Sequence, residues 1–211
     1  MKEIIRPGAA SLLLFISGVA AAAEGNLDDK ALVAMLQKGG CYIVMRHASS
    51  PRDPPSAADA AAGNAGRERQ LDSKGRESAR AMGAALRRLR IPVGEVLSSP
   101  TWRAQETVKE AGFGKPRLVE ELGDGGRSMS ATGDSQAEWL TRLVTQPPRQ
   151  GNTVVITHFP NLRAAFPEYT ADLEDGEALV FVPDFGSSTR LLRRVRIDQW
   201  PSFGGMKIDP G

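Results

Sequence analysis

Two short apolar runs in this sequence each stop at a histidine, and the chain holds no other histidine. The first is Cys41-Tyr42-Ile43-Val44-Met45, followed by Arg46-His47. The second is Thr153-Val154-Val155-Ile156-Thr157, followed directly by His158. Neither run alternates apolar with polar residues, so each reads as a strand buried on both faces. In open α/β sheets, ligands bind at the carboxyl ends of strands. Two strand-end imidazoles therefore predict one shared site. A bland reading, two structural histidines that satisfy loop carbonyls, suits a lone histidine better than this pair.

The rest of the chain fits such a sheet. Residues 28–38 carry apolar residues at helical spacing and stop at Gly39-Gly40. Asp72 can cap a helix over 73–90, with Ala79, Met82, Leu86 and Leu89 on one face. Residues 94–98 read as a strand. Ser99-Pro100 then reads as an N-cap and first-turn proline, opening a helix to about Glu110. Asp134 or Ser135 opens another helix, whose stripe is Trp139, Leu140, Leu143 and Val144. Residues 178–182 and 190–196 are two late strands, the last with the polarity of an edge. Strand and helix alternate, which predicts a three-layer α/β/α sandwich with a largely parallel sheet. Residues 49–70, rich in Ser, Pro, Ala, Gly and charge, form a long loop, either functional or a plain solvated insertion. Residues 201–211 are expected to fray.

The amino terminus reads as an address. Lys2 and Arg6 precede an uncharged stretch from Pro7 to Ala23, centred on Leu12-Leu13-Leu14-Phe15-Ile16. Ala21-Ala22-Ala23 before Glu24 supplies a small-x-small cleavage pattern, so residues 1–23 are expected to be a secretory signal peptide cut after Ala23. The rival, an uncleaved anchor helix, is disfavoured because the run is short and rich in Ala and Gly. Export predicts a periplasmic or secreted domain over 24–211, with no stable membrane span after cleavage. The single Cys41 excludes an intrachain disulfide and reads as a small buried side chain. Lys+Arg 27 against Asp+Glu 25 argues against a nucleic-acid partner.

A third strand end adds charge. Arg103 follows Ser98-Ser99-Pro100-Thr101-Trp102 and falls in the first turn of a helix, where the backbone favours anions. Its planar guanidinium suits a phosphate, and Arg46 supplies a second beside His47. No acidic cluster accompanies them, so neither a magnesium mechanism nor any cofactor is expected.

These residues resemble the histidine phosphatase superfamily, also called phosphoglycerate mutase-like. The family's Arg-His-Gly is here Arg46-His47-Ala48. Its Leu-Thr-x-x-Gly is here Leu71-Asp72-Ser73-Lys74-Gly75. Its Ser-Ser-x-x-x-Arg-Ala-x-x-Thr runs from Ser98 through Arg103-Ala104 to Thr107, and its second histidine is His158. The ordered set covers roughly 40–160. Two departures stand out: Ala48 replaces Gly, and Phe159 replaces the Gly common after the second histidine. The stretch from Glu120 to Asn152 has room for one helix, so the substrate pocket should be shallow or open. In size the chain is similar to SixA-type members; its signal peptide makes it more like the Ais type.

The resemblance implies a phosphoglycerate mutase-like fold and a phosphatase domain over 24–211. It also implies attack by His47 on phosphorus, with a phosphohistidine then hydrolysed by water. The attacking ring must be neutral, and like-charge repulsion from Arg46 and Arg103 favours that state. Arg46, Arg103 and His158 would bind the phosphate and stabilise the transition state. For the general acid, Leu118-Val119-Glu120 fits the family's Leu-x-Glu. Glu121 and Asp124 are alternatives, all three could be solvated loop carboxylates, and SixA-like members manage without an acid. The expected function is an exported, metal-independent phosphomonoesterase acting on a small phosphorylated substrate or an envelope phosphate. Alternatives are a phosphohistidine-protein phosphatase and a non-catalytic phosphate-binding or sensor module. A mutase, or an interaction protein using Pro54-Pro55, ranks lower. Sugar phosphate, lipopolysaccharide phosphate and phosphoprotein all stay open as substrates.

Overall fold

A computed structural model describes Gly25 and residues 27–124, 134–184 and 188–205. The expected signal peptide lies outside the described residues. The elements are α1 (Asp29–Lys38), β1 (Tyr42–Arg46), α2 (Ser73–Arg88), β2 (Val93–Ser98), α3 (Trp102–Ala111), β3 (Arg117–Leu118), α4 (Asp134–Val144), β4 (Asn152–Thr157), α5 (Phe159–Ala165), β5 (Ala178–Asp184) and β6 (Ser188–Val195). One six-stranded sheet runs in the order β3-β2-β4-β1-β5-β6. Its first four strands are parallel, and β5 and β6 add an antiparallel flank, with β6 at the edge as its polarity implied.

The two continuous apolar runs, β1 and β4, pair at the centre of the sheet. Alternation along them feeds both faces. Ile43, Met45, Val154 and Ile156 pack with Leu32, Leu36, Met82, Leu86 and Val108 under α1–α3. Val44 and Val155 pack with Leu140, Val144 and Leu162 of α4 and α5 on the other face. Three layers result, in the architecture read from the strand–helix alternation. Cys41 is fully buried, and burial pushes its thiol up to about 11.

Two expectations need correction, and one element was not foreseen. The helix after β2 starts at Trp102 with Thr101 as N-cap, because the Ser99 hydroxyl is spent accepting from the Thr101 amide at 3.2 Å in the turn. Helix α5, seven residues long, carries no periodic signal a sequence reading could use. Of the tail expected to fray, residues 206–211 lie outside the described residues, and the part through Phe203 is anchored. Trp200 and Phe203 are buried and stack at 5.5 Å against the α2 side of the core, and Arg88 donates to the carbonyls of Pro201 and Phe203.

Candidate active site

Parallel pairing sets Arg46 opposite Thr157, so the residues that follow, His47 and His158, leave the sheet side by side. Their rings lie 5.3 Å apart at 62°, and both are buried. The first turn of α3 brings Arg103 between them. Its Nε donates to His47 Nε2 at 3.1 Å, and its Nη2 reaches His158 Nδ1 at 3.1 Å.

His47 is held from both sides. Its Nδ1 lies 2.8 Å from the Ala48 carbonyl, which can only accept, so Nδ1 carries the proton. Nε2 accepts from Arg103 and therefore carries the lone pair. Burial holds this imidazole neutral well below the ordinary range; His158, Arg103 and Arg46 push the same way and outweigh the opposing Ala48 carbonyl. Desolvation, more than the arginine repulsion inferred from sequence, keeps the ring unprotonated.

The family-like motifs explain why the loop after His47 stays in place. The Thr107 hydroxyl accepts from the Ala48 amide at 3.1 Å and donates to the Arg103 carbonyl at 2.8 Å. Asp72 caps α2 through the Gly75 amide and accepts from the Ser49 hydroxyl at 2.7 Å. A Cβ at Gly75 would overlap the Ser49 carbonyl, so only glycine lets α2 approach this closely.

His158 has different partners. Its Nε2 lies 2.9 Å from the Ser99 hydroxyl and 3.2 Å from that of Thr101. Burial is again the main cause of its lowered pKa, followed by Arg103, Arg69 and Arg46. Arg103 Nη2 can only donate, so Nδ1 accepts and the proton sits on Nε2, facing the two hydroxyls.

Arg46 acts on both imidazoles through its charge, but its polar partners lie on the flank of the site. It pairs with Asp175 at 2.5 Å and donates to the Leu173 carbonyl at 3.2 Å. Its guanidinium lies 5.7 Å over the Phe159 ring, so the residue that departs from the family pattern supports this arginine. The Arg46 Nε–H is buried without a hydrogen-bond partner. Asp175 was not foreseen from sequence. It sits in the turn where the Gly176 amide donates to the His47 carbonyl, and burial raises its carboxyl pKa.

Of the three candidate carboxylates, Asp124 is the one at the histidines. It pairs with Arg103 and lies 3.6 Å from His158 Nδ1. Glu120 is exposed at the start of a short 3-10 turn, and Glu121 is half-buried beside it. Asn161 fixes this turn by donating to the carbonyls of Glu121 and Gly123, and Thr157 donates to that of Leu122. Sequence spacing favoured Glu120 because it cannot show which carboxylate a 3-10 turn swings inward. Among the described residues, no three His, Cys, Asp or Glu side chains gather as a metal site.

The 49–70 loop forms an ordered strap over the site. Arg69 donates to the carbonyls of Pro51 and Ser50, and Glu68 accepts from the Trp102 amide at the start of α3. Pro54, Arg67, Glu68 and Arg69 line a cavity of about 250 Å3 together with Thr101, Arg103 and Asp124. The mixed composition of the strap gave no sign of which residues would face the pocket.

A guanidinium bridges two buried, neutral imidazoles at the carboxyl edge of the parallel part of the sheet, on a phosphoglycerate mutase-like fold. Residues 42–124 match the profile of the histidine phosphatase superfamily, branch 1. The family match supports phosphatase activity. The fold is similar to that of the protein histidine phosphatase SixA complexed with tungstate, at 18% identity and a TM-score of 0.56, covering 75% of this chain and 98% of that one. A putative phosphohistidine phosphatase SixA from Agrobacterium tumefaciens is similar at 15% identity and a TM-score of 0.51, over 74% of this chain and 98% of that one. A phosphoserine phosphatase from Entamoeba histolytica in complex with phosphoserine matches at 13% identity and 0.51, over 73% and 95%. No curated protein matches the sequence.

Proposed function

We propose that the chain is an exported phosphatase that cleaves phosphomonoesters through a phosphohistidine on His47 without a metal ion. The observation that carries this reading is the His47 ring: Nδ1–H is spent on the Ala48 carbonyl and the Nε2 lone pair faces Arg103. A phosphoryl group entering there would take over the guanidinium donors, and Nε2 would face phosphorus. The Nε2 lone pair forms the N–P bond as the ester P–O bond breaks, and the leaving oxygen takes a proton. Water then attacks phosphorus, the N–P electron pair returns to Nε2, and the water proton passes to a nearby base. In its protonated form Asp124 would give its proton to the leaving oxygen and, as the carboxylate, take one back from the attacking water; Glu120 and Glu121 lie further out. Arg103, His158 and the unsatisfied Arg46 Nε–H stabilise the equatorial oxygens.

A second reading is hydrolysis of phosphohistidine on a protein. It is favoured by the SixA-like fold and by Asp124 being tied to Arg103, since a phosphoramidate leaves with less help from an acid. The signal-peptide pattern supports export, and export would bring envelope phosphates within reach. Among the described residues no helix is long and apolar enough to cross a membrane.

The test is hydrolysis of p-nitrophenyl phosphate by the purified protein with and without EDTA, beside His47→Ala. Activity should survive EDTA and vanish in the variant. A fully active His47→Ala protein would remove His47 from the role. Amino-terminal sequencing of the exported protein should begin at Glu24.

A further inference from the structure

We infer that Asp175 is a positioning residue for the phosphoryl site: together with the Leu173 carbonyl it occupies the Nη groups of Arg46, so that this guanidinium meets phosphate through its Nε–H. The inference deepens the phosphatase reading, on which it rests for what binds at the histidines. It adds a residue that acts through Arg46 and touches no reacting atom itself.

Three observations meet at Arg46. First, its donors are unequally engaged. Nη1 donates to the Leu173 carbonyl at 3.2 Å, and Nη2 lies 2.5 Å from Asp175 Oδ1. Nε–H is buried and has no partner. No hydrogen bond reaches Asp175 Oδ1 either, so this pair is held by charge and distance. Buried polar atoms without hydrogen bonds are rare, and two of them in one ion pair call for a functional reason. The Phe159 ring backs the guanidinium at 5.7 Å and limits its swing.

Second, the turn that carries Asp175 is built into the site. The Gly176 amide donates to the His47 carbonyl at 3.0 Å and the Arg46 amide to the Glu177 carbonyl at 3.1 Å, so one turn grips both residues. The buried Glu177 carboxylate braces the turn, accepting from the Glu174 amide at 2.9 Å and from Arg194 Nε at 2.8 Å. Gly176 has φ 74°, and a Cβ there would lie 2.8 Å from Ile197 Cδ1, so the turn needs glycine to close. Third, Asp175 has other cations at hand. Lys74 and Arg196 line the same cavity of about 280 Å3, yet the partner Asp175 meets is the strand-end arginine. A planar guanidinium held at both Nη groups presents one edge rather than a rotating fork.

Inorganic phosphate and p-nitrophenyl phosphate test this on the purified chain, the first without any chemistry. In a 15N–1H spectrum the Arg46 Nε–H resonance, assigned by its loss in Arg46→Lys, should move as inorganic phosphate is added. Asp175→Asn keeps the shape of the side chain and removes its charge. It should bind phosphate at least as tightly in titration calorimetry, because an anion has left the wall of the site, while the Nε–H shift at saturation shrinks. For the ester, kcat should fall roughly tenfold with KM little changed, since aim counts most in the transition state. A merely structural role would instead weaken phosphate binding and lower Tm together. In an Arg46→Gln background, adding Asp175→Asn should leave kcat unchanged within about twofold, because Asp175 acts through Arg46. Three results would overturn the inference: an Nε–H resonance that phosphate does not move in the parent, a parental shift and kcat in Asp175→Asn, or an equal loss of kcat in the Arg46→Gln background. A parent whose resonance moves with phosphate but which turns nothing over would count against the phosphatase reading alone, and the Nε–H shift in Asp175→Asn would then decide the inference.

Discussion

The carboxyl ends of β1 and β4 lie side by side in one sheet, yet their histidines are held by opposite kinds of partner. His47 Nδ1 meets a backbone carbonyl, which fixes one tautomer and points a lone pair into the pocket. His158 Nδ1 accepts from Arg103, and its Nε2 proton faces two hydroxyls that can themselves donate or accept. On the proposed mechanism the first ring is locked as the nucleophile, while the second could move its proton to Nδ1 and donate once a phosphate oxygen displaces Arg103. The difference shows how equal burial and equal strand position yield unequal roles through the neighbours of a single ring nitrogen.

The largest blow to this arrangement is loss of the group that touches both rings. Arg103→Ala should lower kcat/KM by roughly a hundred- to a thousandfold, as removal of a charge-stabilising donor does elsewhere. Steady-state kinetics with p-nitrophenyl phosphate would show it, and a Lys replacement should recover little, because one ammonium cannot serve two rings. Next comes the β1 end, which depends on close backbone approach. Gly75→Ala should cost about 1–3 kcal/mol in urea unfolding, because its methyl would drive α2 off the Ser49 carbonyl. At the β4 end, Ser99→Ala with Thr101→Val should lower kcat roughly tenfold by freeing the His158 ring, while KM shifts less. If that pair proves as damaging as Arg103→Ala, the hydroxyls do more than orient the ring.

The last effect, set by solution conditions rather than by a substitution, is on stability against pH. Both imidazoles titrate well below 6.5 in the folded chain but near 6.5 when unfolded. Below about pH 6.5 the unfolded state binds more protons, so stability falls as pH drops and recovers as it rises. Each histidine contributes a slope of at most about 1.4 kcal/mol per pH unit in that window. Urea unfolding between about pH 7 and pH 5 should therefore be steeper in pH for the parent than for a His47→Gln, His158→Gln double variant.

Much of this was legible in the sequence because it was written in local patterns. The unbroken apolar runs marked β1 and β4 as central, and Asp72 and Gly75 marked the start of α2 beside the site. Arg103 fell in the first turn of α3 even though the helix begins later than Ser99-Pro100 suggested. What escaped depended on contacts between distant segments. Asp175 reaches Arg46 only because β5 runs antiparallel to β1. The choice of Asp124 over Glu120 turns on how Asn161 and Thr157 hold a 3-10 turn. The burial of Phe203 follows from aromatic packing on α2, which no tail composition announces.

The claim at the centre is that His47 Nε2 accepts the phosphoryl group. A rapid-mixing experiment quenched in alkali, where phosphohistidine survives, followed by peptide mass spectrometry, tests it directly. The account predicts phosphate on the peptide containing His47, in an amount that rises and decays with turnover and is absent in His47→Ala. Turnover with no labelled histidine at any time, or label on His158 instead, would contradict it.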